Sequence, residues 1–127
     1  DCGYSCWWND PALPKFNHSH SSVRDYLLEV ACHWIEIGID GWRLDVPDEV
    51  PHDFWIAFRR KVKRINPEAW IIGEIWGNAK PWLNGDQFDG VMNYRIGWSS
   101  LCWVAGRKLR KTYKNDFYPL EPIGGKH

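Results

Sequence analysis

Two carboxylic acids, Asp45 and Glu74, stand where short apolar runs end, and each has a neighbour able to tune it. Asp45 closes Gly41-Trp42-Arg43-Leu44-Asp45-Val46, a compact run holding Trp, Leu and Val after Gly38, which reads as a strand. Side chains alternate across a strand, so Trp42, Leu44 and Val46 share one face and Arg43 and Asp45 the other. A cation two residues away on that face favours the charged carboxylate. Pro47 cannot continue a central ladder, so the strand ends just after Asp45. Glu74 stands near the end of Ala69-Trp70-Ile71-Ile72-Gly73-Glu74-Ile75, a nearly continuous apolar run of the kind buried on both faces in a parallel sheet. A carboxyl in so dry a place, beside Trp76, favours its neutral acid. One acid held charged and one held neutral, both at C-terminal strand ends, pairs a nucleophile or base with a general acid. The competing reading makes Arg43–Asp45 a structural ion pair and Glu74 a stray carboxyl. Matched positions at two strand ends argue against it.

The elements around these strands follow from periodicity. Val23, Tyr26, Leu27, Val30, Ala31, Trp34 and Ile35 recur on one helical face, which predicts a helix over 22–37. Ser21 or Ser22 can cap its start and Gly38 its end. Phe54, Trp55, Phe58, Val62 and Ile65 mark the buried stripe of a second helix over 52–65, which Asn66-Pro67 stops. Its basic second half suits the helix macrodipole and a solvated outer face, without nucleic acid. A short helix is expected around 79–83, a third strand over 91–94 and a third helix over 99–112. Residues 1–21 are dense in Gly, Asn, Pro and Ser and read as loop, and 113–127 as an irregular tail. Helices alternating with strands give a parallel α/β fold.

Gly-Ile-Asp-Gly-Trp-Arg-Leu-Asp-Val (38–46) and Gly-Glu-Ile-Trp (73–76) resemble two signature blocks of the α-amylase family of glycoside hydrolases. Leu13-Pro14-Lys15-Phe16-Asn17 is similar to a third, found in the neopullulanase, cyclomaltodextrinase and maltogenic amylase branch. Gly85-Asp86-Gln87-Phe88-Asp89-Gly90-Val91-Met92-Asn93-Tyr94 resembles that branch too. Four ordered blocks are more specific than one short motif. The resemblance implies a (β/α)8 barrel, of which residues 1–127 are part, with about strands 4 to 6 present. Such a barrel takes about 250 residues, so the chain reads as a fragment, expected to be inactive alone. Residues 1–21 become the loop bordering the cleft. An Asn-His block is expected before residue 1, and a His-Asp block with a third carboxylate after residue 127.

The same resemblance implies retaining cleavage of α-glucosidic bonds in maltooligosaccharides, cyclodextrins, pullulan or starch. Asp45 takes the nucleophile position, Glu74 the acid/base position, and Arg43 holds Asp45 charged and oriented. Glu49 and Trp76 follow the two strands and border the leaving-group side as substrate contacts. Neighbouring strands lie about 4.8 Å apart, which suits the separation of about 5–5.5 Å that retention requires. A non-catalytic carbohydrate-binding or interaction protein of the same fold is the alternative; a binder has no need of two tuned carboxyls.

Composition excludes other classes. Hydrophobic content of 44%, 25% charged residues and a net charge of zero argue for a packed domain, without a general attraction for nucleic acid or anionic membranes. No apolar run reaches about 18 residues, and no basic-then-apolar leader is visible. Cys2, Cys6, Cys32 and Cys102 lack metal-site spacing and lean the reading towards the cytoplasm. His18 and His20 have no third ligand nearby, so no metal site is read. No cofactor is inferred; calcium occurs in many α-amylases, yet no cluster here supports a site. Oligomeric state is not legible.

Overall fold

The computed structural model describes residues 3–105 of the 127-residue chain. A loop with one 3-10 turn (Trp7–Asn9) leads into α1 (Ser21–Ile37), β1 (Gly41–Leu44), a 3-10 turn (Pro47–Glu49) and α2 (His52–Ile65). Then come β2 (Trp70–Gly73), a 3-10 turn (Lys80–Trp82), β3 (Gly90–Val91) and α3 (Tyr94–Ala105). The three strands form one parallel sheet in the order β1-β2-β3. Alternating helices and parallel strands bear out the α/β reading, and the segment is part of a β/α barrel.

The core lies on one side of the sheet. Leu28, Ala31 and Ile35 of α1 and Phe54, Trp55, Phe58 and Val62 of α2 pack with Leu44, Ile71 and Phe88. Trp55 meets Phe58 and Phe88 edge-on, both with centroids 5.5 Å away, a favoured aromatic geometry. Helix α2 has the predicted bounds, because its stripe coincides with its buried face; only Ile65, on the last turn, is exposed. The face of α1 is centred on Leu28, Ala31 and Ile35, which leaves the predicted core residues Tyr26 and Trp34 exposed. Gly38 ends α1 at φ 108°, and its N–H bonds Ile35 and Trp34 carbonyls in a left-handed cap that favours glycine. At the other end neither serine caps. An Asn17 turn, in which its side chain accepts the Ser19 N–H, brings the chain into the helix from His20.

Several predicted bounds shift for local reasons. Only the helix side of β2 is covered: Ile71 is fully buried, while Trp70 is exposed. The expected burial on both faces is therefore not met among the described residues. The short helix near 79–83 is a single 3-10 turn. Strand β3 stops at Val91 because Asn93 caps α3, its side-chain oxygen accepting the Ile96 N–H at 3.1 Å. Helix α3 thus starts at Tyr94, five residues ahead of the predicted 99. The predicted end of that helix and the irregular tail lie outside the described residues, as does Cys2. His18 packs edge-on against Phe54 at 5.4 Å while His20 flanks α1, so the two histidines have separate structural roles.

Asp89 fastens the sheet to α2. Its backbone N–H bonds the Ile71 carbonyl at 2.8 Å, and its carboxylate accepts the Ile71 N–H at 2.9 Å. Arg59 and Lys63 of α2 reach the same carboxylate at 2.7 and 2.9 Å. Two cations of the basic half of α2 are thereby committed to the fold. Burial would push the Asp89 carboxyl up, but the hydrogen bonds from Lys63, Arg59 and Ile71 hold it below the usual carboxylate range. A lowered folded value means that this stabilisation is complete above the ordinary range and is lost as pH falls through the lowered value. Asp89→Asn, in the complete barrel, should cost about 1–3 kcal/mol at neutral pH. Denaturant unfolding at neutral and acidic pH checks this: the gap between wild type and variant should narrow below about pH 4.

Candidate active site

The register of the two long strands brings the acids together. Leu44 of β1 pairs with Gly73 of β2, and the Glu74 N–H bonds the Leu44 carbonyl at 2.9 Å. Asp45 and Glu74 are therefore the next residues on neighbouring parallel strands, on the side shared with Arg43 and away from the helices. A side chain at Gly73 could not be accommodated, since a Cβ there would lie 2.6 Å from the Phe88 ring. That absence of a side chain lets β2 lie close over the core just before Glu74.

One guanidinium joins the two carboxylates. Arg43 Nη1 forms an ion pair with Asp45 Oδ1, and Nη2 reaches Glu74 Oε1 at 2.9 Å. The sequence expectation tied Arg43 to Asp45 alone; the structure divides it between both acids. The hydrogen bond to Asp45, then the charge of Glu74, holds the guanidinium above even its ordinary value. The acids differ in access: the Asp45 side chain is 76% exposed and that of Glu74 only 10%. Glu74 is buried as expected, yet it is compensated, because a buried carboxyl without partners would cost several kcal/mol.

Two further donors complete the surroundings of Glu74. Tyr94 Oη donates to Glu74 Oε1 at 3.1 Å, and the Val46 N–H approaches Oε2 at 3.4 Å. Burial, then the hydrogen bond to Glu74, holds the Tyr94 hydroxyl above its ordinary value, so it stays protonated and serves as a hydrogen-bond donor at neutral pH. Val46 has φ 40° and ψ 51°, a conformation that costs a β-branched residue about 1–3 kcal/mol. It turns the chain from β1 into Pro47 and aims its N–H at Glu74. Trp76 stacks on Tyr94 with centroids 4.7 Å apart and planes at 14°, which sets an aromatic pair beside the buried acid. Tyr94 was not singled out from the sequence. Its partner lies 20 residues earlier, and only its place in the block 85–94 marked it.

Glu49 is placed differently. It sits in the Pro47–Glu49 turn and forms an ion pair with Lys15 of the N-terminal loop, apart from the cluster around Arg43. Next to it, burial pushes the Asp48 carboxyl up, and the charges of Glu49 and Glu74 push the same way. Asp48 lines a cavity of about 600 Å³ with Ile75, Asn78, Lys80, Trp82 and Arg95. The buried Trp82 Nε1 has no hydrogen-bond partner among the described residues. Such an open space with one aromatic wall and a few polar groups suits a polyhydroxylated ligand. No three His, Cys, Asp or Glu side chains converge to hold a metal ion among the described residues. No described helix is long and apolar enough to cross a membrane.

Comparison with known proteins agrees with this geometry. The family described as the alpha amylase catalytic domain matches residues 4–115. Neopullulanase 2 of Thermoactinomyces vulgaris is 60% identical over 84 residues, covering 66% of this chain and 14% of its own length. A cyclomaltodextrinase of Geobacillus thermopakistaniensis is 53% identical over 96 residues, covering 75% of this chain and 16% of its own length. The chain thus spans less than a fifth of either relative. Among solved structures, a cyclomaltodextrinase superposes with a TM-score of 0.74 at 52% identity, covering 77% of this chain and 17% of that one. A debranching enzyme from Nostoc punctiforme gives 0.68 at 55% identity, covering 72% and 19%. With nearly its whole length matched and its parallel strands superposing on these enzymes, this chain belongs to the alpha-amylase catalytic-domain family.

Proposed function

We propose that the protein carrying this chain cleaves α-glucosidic bonds in maltooligosaccharides, cyclodextrins, pullulan or starch with retention, passing the sugar to water or to another sugar. The observation that carries this reading is the single Arg43 guanidinium joining Asp45 and Glu74 at adjacent strand ends. Both acids lie within the span of one side chain, in keeping with the separation of about 5–5.5 Å used by retaining glycosidases. The names of the matched relatives, a cyclomaltodextrinase and a neopullulanase, support the substrate class.

Asp45, open to solvent, is the nucleophile. Its carboxylate attacks the anomeric carbon while the bond to the leaving oxygen breaks, and that oxygen takes a proton from Glu74. Oε1 of Glu74 accepts from Arg43 and Tyr94, and Oε2 only from the more distant Val46 N–H, so Oε2 is the oxygen that carries the proton. The products of this step are a glycosyl ester on Asp45 and a charged Glu74. Water or a sugar hydroxyl then gives its proton to Glu74, and its oxygen displaces Asp45 from the anomeric carbon. Two displacements at one carbon retain its configuration. Negative charge passes from Asp45 to Glu74 and back, and Arg43 touches both, so the cation stays paired through the cycle. Trp76 and its stacked partner Tyr94 border the sugar on the leaving-group side, with Glu49 at the rim.

In the complete enzyme, Asp45→Asn should lower kcat on maltooligosaccharides by roughly three orders of magnitude or more without changing the thermal unfolding midpoint, since an amide cannot form the ester. A folded variant that keeps most of its turnover would contradict the assignment. Glu74→Gln separates the second role. It should impair natural substrates most and partly spare aryl glucosides, whose leaving groups need little protonation. Equal loss on both substrate types, measured as kcat/KM, counts against Glu74 as the acid.

A further inference from the structure

Four carboxyls follow closely on the C-terminal ends of β1 and β2: Asp45, Asp48, Glu49 and Glu74. Arg43 compensates Asp45 and Glu74. Glu49 is compensated from a different part of the chain, by Lys15, 34 residues away in sequence. Both side chains of that pair are largely shielded, at 18% and 28% exposure, so their attraction is less screened than that of a surface pair.

Lys15 is itself held from several directions. Its backbone N–H bonds the Ser5 carbonyl at 2.9 Å, and Cys6 pairs with Pro14 in an antiparallel bridge. The Trp7 N–H bonds the Leu13 carbonyl at 2.8 Å. The ammonium lies 5.2 Å from the Trp7 ring centroid, within cation–π range. The hairpin-like loop therefore delivers one cation, braced by an aromatic face, to one carboxylate at the mouth of the sheet. Glu49 needs such help: it sits in a single 3-10 turn four residues after Asp45, too short to orient a glutamate by helix packing.

We propose that Lys15 is a positioning residue for Glu49: the loop before α1 sets the rim carboxylate against the sugar on the leaving-group side, so Lys15 governs substrate affinity and not the chemical step. This rests on the retaining α-glucan reading above. Glu49 is held as a charged acceptor for sugar hydroxyls, with Lys15 occupying Oε2 and leaving Oε1 to the ligand. Without Lys15 the carboxylate loses its charged partner and the side chain is free to change rotamer.

The test uses the complete enzyme with Lys15→Met, Lys15→Arg, Glu49→Gln and the Lys15→Met/Glu49→Gln double variant, assayed on maltotriose and on an aryl α-glucoside whose leaving group bears no sugar. Lys15→Met should raise KM for maltotriose roughly tenfold, with kcat within about twofold. It should leave KM for the aryl glucoside within about twofold. Lys15→Arg should restore most of the affinity by keeping the cation. The double variant should be no worse than Glu49→Gln alone, because both changes remove one interaction. Two results overturn the inference: an unchanged KM for maltotriose with a lowered unfolding temperature, which makes the pair a fastening of the loop only, or effects of the two single changes that add. Asp45→Asn run alongside keeps the two readings apart. Retained turnover in that variant contradicts the catalytic pair, while the Lys15 effect on KM is still read in the same enzyme; a wild type with no turnover overturns both.

Discussion

Everything at the strand ends depends on the charge of Arg43. A carboxylate as buried as Glu74 is tolerated only when its charge and lone pairs are met, and here the guanidinium, the Tyr94 hydroxyl and the Val46 N–H meet them. Arg43 also contacts exposed Asp45, so one planar cation fixes the relation between an accessible acid and an inaccessible one. A lysine could supply charge but not the fork, which presents two parallel donors at set separation. The fork holds the two acids on one cation, so charge passing between them in the proposed cycle would never leave the cation unpaired.

That arrangement is assembled by backbone features remote from the chemistry. The register of β1 on β2 puts the acids side by side, and Asp89 secures the opposite edge of β2 by bonding both polar groups of Ile71 while holding Arg59 and Lys63 of α2. Gly41 allows the other end of the pair to close, for a Cβ there would sit 2.2 Å from the Trp70 carbonyl oxygen. The left-handed Val46 then turns the chain sharply after Asp45. Strained backbone at the end of a well-anchored strand persists because the surrounding structure over-determines it.

Much of this was legible in the chain, and the rest failed for definable reasons. Helix α2 was readable to its ends because its apolar stripe and its buried face coincide, with Asn66-Pro67 marking the stop. The stripe of α1 misled, because Tyr26 and Trp34 are apolar in type yet exposed, and Leu28 beside them is buried. That Asp45, Glu74 and Arg43 come together was readable because alternation on a strand is local information. Tyr94 and the Lys15–Glu49 pair were not, since their partners lie 20 and 34 residues away and no local period encodes contacts at that range. Strand β3 was read too long because Asn93 is both the end of an apolar run and a helix cap, and the cap prevails. The matched family blocks carried what periodicity did not, which is the family.

The central claim is that Asp45 and Glu74, joined by Arg43, work by two successive displacements at one anomeric carbon. The stereochemistry of the first-formed product tests this directly. Hydrolysis of a maltooligosaccharide by the complete enzyme, followed by proton NMR before mutarotation sets in, reads the configuration of the new reducing end. Appearance of the α anomer first is the outcome expected of a covalent ester on Asp45. The β anomer appearing first would mean a single displacement by water and would contradict the account.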